Sequence, residues 1–366
     1  MGTLYIGIMS GTSLDGVDIA LTSFSSDTQR ASLLAALCMP FPSELRNDLL
    51  ALCQPGADEI RRAGLAGQEW ARLAAAGVQQ LLQQQNLSAS DVSAIGSHGQ
   101  TIRHHPESGF SVQIGAPALL AELCGIDVVC DFRNRDLAAG GEGAPLVPAF
   151  HAWLLHDAQH TRALVNIGGF ANLTLLAQDG QTSGFDSGPG NVLLDYWIHQ
   201  HEGQSFDANG NWARSGQVIP ALLERMLADD YFHRTAPKST GREYFHPDWL
   251  QRQLGEHRYE PADVQATLLE LTARTIAQAL EDCQPPPSAA YVCGGGAHNG
   301  RLMERLQQLL PLSPVMTTAE LGVDPDWMEA IAFAWLAWRC QRRLSGNLPA
   351  VTGARGERIL GAAYPA

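Results

Sequence analysis

The sequence predicts an α/β protein made of two successive units. Runs of β-prone apolar residues alternate with Ala-, Leu- and Gln-rich helical stretches in β–α–β order, which lays helices over a mostly parallel sheet. A strand–glycine turn–strand pattern opens the chain and recurs past its middle, an architectural echo rather than a letter-by-letter repeat. The chain's 366 residues suit about two domains at roughly 150 residues each. Hydrophobic residues are 45% and charged residues 17%, enough apolar material for two cores.

Taken in order, residues 4–8 and 17–22 are short β-prone runs around the turn at 10–16, a hairpin. Residues 43–53 and 58–85 are helical, and the Ser- and Asp-containing stretch 88–91 closes them. Residues 92–97 form a buried strand, followed by a strand at 110–114, a helix at 116–124 and a strand at 126–130. Residues 131–147, rich in Gly, Asp and Arg, then meet Pro145 and Pro148, and the hinge between the halves is expected there, giving domains 1–145 and 146–349. The second unit opens with strands at 163–167 and 173–177 around Gly168-Gly169. A helix at 191–200, loop-like stretches at 201–218 and 232–248, and helices at 219–229 and 263–282 follow. A strand at 289–293 runs into Gly294-Gly295-Gly296, then a helix over about 299–310; the last long helix covers roughly 326–343.

Composition excludes several classes. The formal charge of −14 argues against nucleic acid as a partner, although backbone N–H groups and a few Arg suffice for a small anion. The most apolar late stretch, 331–338, is far short of the roughly 20 residues that span a bilayer. The first residues carry neither a basic n-region nor a small-residue cleavage site, and Ile6 stands where a myristoylation motif needs Ser or Thr. Seven scattered Cys without a C-x-x-C point to reduced thiols in a cytoplasm. His98, His104 and His105 lack the partners of a zinc site.

Seven short strings carry candidate chemistry. In Ser10-Gly11-Thr12-Ser13-Leu14-Asp15-Gly16-Val17-Asp18, glycines and hydroxyls suit a phosphate nest in which Asp15 or Asp18 orients Mg²⁺ through water; an ordinary polar hairpin turn reads the same way. Gly168 and Gly169 directly after a strand allow close backbone approach to a ligand, or simply a tight turn. Gly294, Gly295 and Gly296 offer a flat surface for a nucleoside, or a flexible connector. Neither a P-loop nor a dinucleotide fingerprint is present: Lys238-Ser239 follows Pro237 where a P-loop needs Gly, and Asn299 stands where the fingerprint needs its last Gly.

Asp186, between Gly184 and the Gly188-Pro189-Gly190 run, is read in a stiff loop entering a helix, as a general base or as a capping Asp. Ser97-His98-Gly99-Gln100-Thr101 offers several hydrogen-bonding groups suited to sugar hydroxyls, or a polar loop with a satisfied His. Arg133 and Arg135 face one side if their segment is extended. Either then clamps a carboxylate or phosphate, or pairs with Asp131 and Asp136. Glu329 begins the last helix, where the helix dipole favours an acid in any case.

In this order, Ile8-Met9-Ser10-Gly11-Thr12-Ser13-Leu14-Asp15-Gly16-Val17-Asp18, Ser97-His98-Gly99-Gln100-Thr101, Asp131-Phe132-Arg133, Asn166-Ile167-Gly168-Gly169, Asp186-Ser187-Gly188-Pro189-Gly190-Asn191, Pro237-Lys238-Ser239-Thr240-Gly241-Arg242-Glu243 and Gly294-Gly295-Gly296 resemble the anhydro-N-acetylmuramic acid kinases over nearly the whole chain. The resemblance implies the two-domain sugar kinase, actin and heat-shock ATPase (ribonuclease H-like) fold with an interdomain ATP cleft. It also implies a C-terminal tail, about 350–366, returning to the first domain. Gly11 to Asp18 (Gly11, Thr12, Ser13, Leu14, Asp15, Gly16, Val17, Asp18) would hold the β- and γ-phosphates with Mg²⁺ near Asp15 and Asp18. Gly168 and Gly169 would make a second phosphate contact, and Gly294 to Gly296 the adenosine side.

The implied reaction opens the 1,6-anhydro ring of 1,6-anhydro-N-acetylmuramic acid with water and phosphorylates O6 from ATP. Asp186 would be the base, Glu329 would position sugar or water, and Arg135 would contact the substrate near the phosphate path. His98, Gln100 and Thr101 would bind the sugar. A cytoplasmic homodimer acting in cell-wall recycling is implied, with neither nucleic acid nor membrane as partner. Two other readings share these residues: a kinase of the same fold acting on another amino sugar, and a non-catalytic ATP-switched binding protein.

Overall fold

The first two strands, β1 (Thr3–Met9) and β2 (Gly16–Ser25), are rich in Ile, Val and Leu, and they pair antiparallel with Met9 opposite Asp18. The computed structural model describes residues 2–11, 14–25, 30–236, 238–242 and 244–366. Unit 1 continues with β3 (Arg30–Pro40), β4 (Val92–Ser97), β5 (Gln100–His105), β6 (Phe110–Ile114) and β7 (Val128–Cys130). One sheet runs in the order C-terminal strand Ala362–Tyr364, β7, β4, β1, β2, β3; β5 and β6 form a separate hairpin. Only β1 with β4 and β4 with β7 are parallel; β1 with β2, β2 with β3 and β7 with the C-terminal strand are antiparallel. The sheet is therefore mixed, where the sequence predicts a mostly parallel one. Only strands joined by a helical crossover come out parallel.

The long helix Glu59–Gln84 covers the β2–β3 side of this sheet. Its Trp70, Ala71, Ala74 and Val78 pack with Ile6, Ile8, Val17, Ile19 and Leu21 in one buried cluster. The helix Met328–Gln341 lies on β1, β2 and β4. Two strand positions permit that approach: a Cβ at Gly7 would run into the Ala330 carbonyl, and one at Gly96 into the Phe333 carbonyl. Trp335 and Trp338 of the same helix pack at tilted angles against Phe24, Phe150 and Trp153.

The chain thus divides into Met1–Leu154 with Trp327–Ala366, and Leu155–Asp326. Sequence expectation placed the first crossing near 145 and the return near 350. The earlier return comes from the glycine-lined seat for the helix Met328–Gln341, a steric feature that no composition break announces.

Unit 2 holds β8 (Arg162–Ile167), β9 (Phe170–Leu176), β10 (Thr182–Pro189), β11 (Ala289–Cys293) and β12 (Val315–Thr317), in the order β10-β9-β8-β11-β12. β10 with β9 and β9 with β8 are antiparallel; β8 with β11 and β11 with β12 are parallel. This repeats β3-β2-β1-β4-β7 of unit 1 strand for strand, so the echo seen in the sequence is a shared topology. The helix Pro261–Glu281, buried through much of its length, packs into the core with Val165, Leu173, Leu193 and Leu223. Among the described residues no helix is long and apolar enough to cross a membrane.

Candidate active site

In unit 1 the strand ends and the first turn are tied together by buried polar groups. Trp70 Nε1 donates to Ser10 Oγ at 3.0 Å, and Ser10 Oγ donates to the Gly99 carbonyl at 3.0 Å. Gln100, buried, donates from Nε2 to the Gly11 carbonyl at 3.3 Å. Arg46 Nε donates to the Leu14 carbonyl and the Phe41 N–H to the Asp15 carbonyl, both at 3.1 Å. Gly16 sits 2.5 Å, measured from the position of a Cβ, from the Met39 carbonyl, so only glycine fits there. Thr12 and Ser13 lie outside the described residues.

Asp15 is exposed, and Asp18 is half-buried on β2 beside Val17. The field of Asp18 reaches two neighbours. Burial and then Asp18 push the Cys38 thiol up to about 12. Burial, and then the same carboxylate, raise the Glu329 carboxyl above the ordinary range, against the pull of Arg133.

Arg133, His98 and Glu329 form the charged centre of this unit. Arg133 donates to His98 Nε2 from Nε at 3.1 Å and from Nη2 at 2.9 Å. A guanidinium has no acceptor, so Nε2 carries no proton. The His98 proton then sits on Nδ1, 2.8 Å from the Gly99 carbonyl. Burial, with the Arg133 charge behind it, holds the His98 imidazolium well below the usual histidine range. The ring is thus a neutral acceptor with both nitrogens engaged. It supports Arg133 rather than offering a nitrogen to a sugar, the contact expected of it from the sequence.

Arg133 is the N-cap residue of the helix Asn134–Ala138, and its segment is not extended. Arg135, two residues on, is turned about 200° around the helix axis and is exposed. The side-by-side placement that the spacing predicts for an extended segment is not formed. Arg133 faces the buried centre and Arg135 faces away from it. Thr101, half-buried on β5, accepts at Oγ1 from Gln113 Nε2 at 3.1 Å.

Unit 2 gathers the other candidates. Asp186 lies in β10 at a bulge between Asp186 and Gly188, not in a loop entering a helix; β-pairing continues past it to Pro189. Its peptide N–H donates to the Lys238 carbonyl at 2.9 Å, its carbonyl accepts from Tyr231 Oη at 2.8 Å, and its Oδ2 accepts from the Thr240 N–H at 2.9 Å. The Lys238–Thr240 stretch therefore clamps both the backbone and the carboxylate of Asp186. The Asp229 carboxylate anchors this neighbourhood, accepting from Tyr244 Oη at 2.6 Å, Trp249 Nε1 at 2.8 Å and the Tyr231 N–H at 2.9 Å. Burial lowers the Lys238 ammonium below its usual range.

The glycine strings of this unit meet at one place. The N–H groups of Gly190 and Val192 donate to the Gly169 carbonyl, and that of Asn191 to the Gly168 carbonyl, at 2.8 to 3.0 Å. A Cβ at Gly294, where φ is +76°, would collide with Asn166, and one at Gly296 with Ile167. A Cβ on Gly295 would reach 3.7 Å from Asn191 Nδ2. Backbone closeness to neighbouring protein segments is what these glycines supply; the sequence reads them as admitting a ligand, which their packing here leaves as an assignment. The sequence did not assign roles to Arg133 as the inward guanidinium, to Tyr231 or to Thr240. The Pro237–Glu243 string was the one visible signal for the last of these.

Glu329 supplies a pH prediction. Its folded-state pKa is raised, so between the unfolded value, about 4.3, and the folded one the native state binds more protons. Its contribution to stability is present at low pH and is lost as pH rises through the folded pKa. Glu329→Gln is therefore expected to raise the melting temperature at pH 7.5, with the gain fading toward pH 4. Scanning calorimetry across that range checks this, and an unchanged or lower melting temperature at pH 7.5 contradicts it.

A model of the family described as "Anhydro-N-acetylmuramic acid kinase" matches residues 3–366. Among curated relatives, an anhydro-N-acetylmuramic acid kinase of Pseudomonas putida is 57% identical over 99% of each chain. One of Bordetella parapertussis is 52% identical over 100% of this chain and 97% of its own. Among solved structures, the activator of the 2-hydroxyisocaproyl-CoA dehydratase from Clostridium difficile with bound ADPNP is 10% identical. It superposes with a TM-score of 0.48 over 92% of this chain and 94% of that one.

Proposed function

Since the chain belongs to the anhydro-N-acetylmuramic acid kinase family, a family of kinases, we propose that it opens the 1,6-anhydro ring of 1,6-anhydro-N-acetylmuramic acid and transfers the γ-phosphoryl group of ATP to O6. The products are N-acetylmuramic acid 6-phosphate and ADP. Asp186 takes a proton from water as the water oxygen bonds to C1. The C1–O6 bond breaks, O6 bonds to the γ-phosphorus, and the bond from that phosphorus to the ADP oxygen breaks. The two-point hold of the Lys238–Thr240 stretch on Asp186 supports this role, because a base must be fixed to act on one water.

Arg133, rather than the exposed Arg135, is the cation we assign to the reaction, with Glu329 beside it positioning sugar or water. Gln100 and Thr101 are assigned to sugar binding. The turn from Gly11 to Asp18 is assigned to the β- and γ-phosphates, Gly168 and Gly169 to a further phosphate contact, and Gly294 to Gly296 to the nucleoside.

Mg²⁺ suits the donor set at Asp18. It takes oxygen ligands and keeps several waters, so one or two carboxylates with substrate phosphates suffice. Among the described residues no group of three or more candidate ligands occurs. After burial, the Asp18 charge is the next cause that raises both Cys38 and Glu329, and such a negative charge favours a nearby cation. Asp18, with Asp15 near it, would hold the ion, which would neutralise phosphate charge. A cytoplasmic homodimer serving peptidoglycan recycling completes the proposal and rests on the family.

The observation that carries this reading is identity above half across the full length of relatives bearing that name. A coupled assay of ADP release tests it, with the anhydro sugar expected to consume ATP and free N-acetylmuramic acid to fail. In ¹⁸O-water the label is expected on the anomeric hydroxyl. Label in the phosphate, or equal turnover of the free sugar, overturns the proposal.

A further inference from the structure

We propose that Asp136 is a positioning residue that holds Arg133 against His98, tying the C-terminal segment to the charged centre of unit 1. The inference rests on the reading of Arg133 given above. Asp136 is fully buried, and both of its carboxylate oxygens accept, from three donors in two segments. Oδ2 accepts from the Gly143 N–H at 2.9 Å. Oδ1 accepts from Asn347 Nδ2 at 2.7 Å and from Thr352 Oγ1 at 2.8 Å. A buried carboxylate is costly unless its oxygens are satisfied, and one so satisfied fixes whatever donates to it.

What it fixes is the turn that carries Arg133's second anchor. Gly143, at φ +67°, presents its N–H to Asp136 and its carbonyl to Arg133 Nη1 at 2.8 Å. The guanidinium is therefore held on two sides: Nη1 by Gly143, and Nε and Nη2 by His98. Three of its five N–H bonds are spent on positioning, and two remain for the site. The turn is further pinned from the C-terminal side, where the Glu142 N–H donates to the Thr352 carbonyl at 2.7 Å. Gly141 packs so closely on the Asp136 carboxylate that a Cβ there would overlap it. Asp136 cannot shift without moving Gly143, and Gly143 cannot shift without releasing Arg133 from one side.

Asp136→Asn keeps the shape but turns an acceptor into an amide facing the Gly143 N–H or the two Oδ1 donors. Two readouts test the proposal. The first is the ¹⁵N spectrum of His98, in which Nε2 reports the guanidinium that donates to it; Arg133→Ala supplies the reference without that donor. Asp136→Asn is expected to move the His98 signal toward the Arg133→Ala position, whereas a purely structural role leaves it at the wild-type position. The second is activity, where kcat/KM is expected to fall at least tenfold. If Asp136→Asn does not fold, the Asn347→Ala/Thr352→Val double variant, which removes both Oδ1 donors, is to show the same His98 change. A His98 signal unchanged in the folded variant overturns the inference. Full activity of Arg133→Ala instead overturns the assignment of Arg133 and leaves the His98 result to decide the role of Asp136.

Discussion

Asp186→Asn is expected to reduce turnover of the anhydro sugar by at least about 100-fold, the scale on which a positioned general base contributes. ATP binding, read as the thermal shift on adding nucleotide, is to remain near wild type. The substitution keeps the size of the side chain and leaves an oxygen able to accept from the Thr240 N–H. A variant that keeps more than a tenth of the wild-type rate removes Asp186 from its assigned role. Thr240→Pro, which deletes the donor to Oδ2 while leaving the carboxylate in place, separates the presence of the acid from its orientation.

Arg133→Ala should cost about 100-fold in kcat/KM, in the range seen when one preorganised electrostatic group is removed, while Arg135→Ala costs less than threefold. The contrast follows from their surroundings. Arg133 is held at three N–H bonds and is felt electrostatically by Glu329; Arg135 lies on the exposed side of a short helix. Removing Arg133 also removes a cation that opposes the upward push on Glu329. The acidic limb of the pH–rate profile should therefore move to higher pH in Arg133→Ala if Glu329 acts ionised. Parallel assays of the two variants across pH 5 to 9 decide the matter. Equal effects at the two arginines, or a larger one at Arg135, reverse the assignment.

Most of the fold was legible because its signals are local. The β1–β2 hairpin, the long helix Glu59–Gln84, β4, β8, β11 and the helix Pro261–Glu281 follow from runs of apolar residues at strand or helix spacing. β3 and β5 were not read as strands. In β3 the apolar run 33–39 is built mostly of Ala and Leu, which favour helix over strand, and in β5 the polar Gln100, Thr101 and Arg103 to His105 leave one apolar residue. β10 was hidden by Gly184, Gly188 and Pro189, which read as loop residues and here serve a bulge.

By itself the sequence determined the family, the two α/β units and the strings from which any site is built, because these depend on residue identity and short spacing. Tertiary structure alone decided which of two arginines faces inward. Whether Arg133 and Arg135 share a side depends on one turn of helix at Asn134–Ala138, and His98, 35 residues earlier, together with the nearby Gly143, sets what that side meets. It also decided where the chain returns to its first unit. That point is fixed by a helix seated on two glycines, Gly7 and Gly96, more than 200 residues earlier, and a contact across such a separation leaves no trace in local pattern.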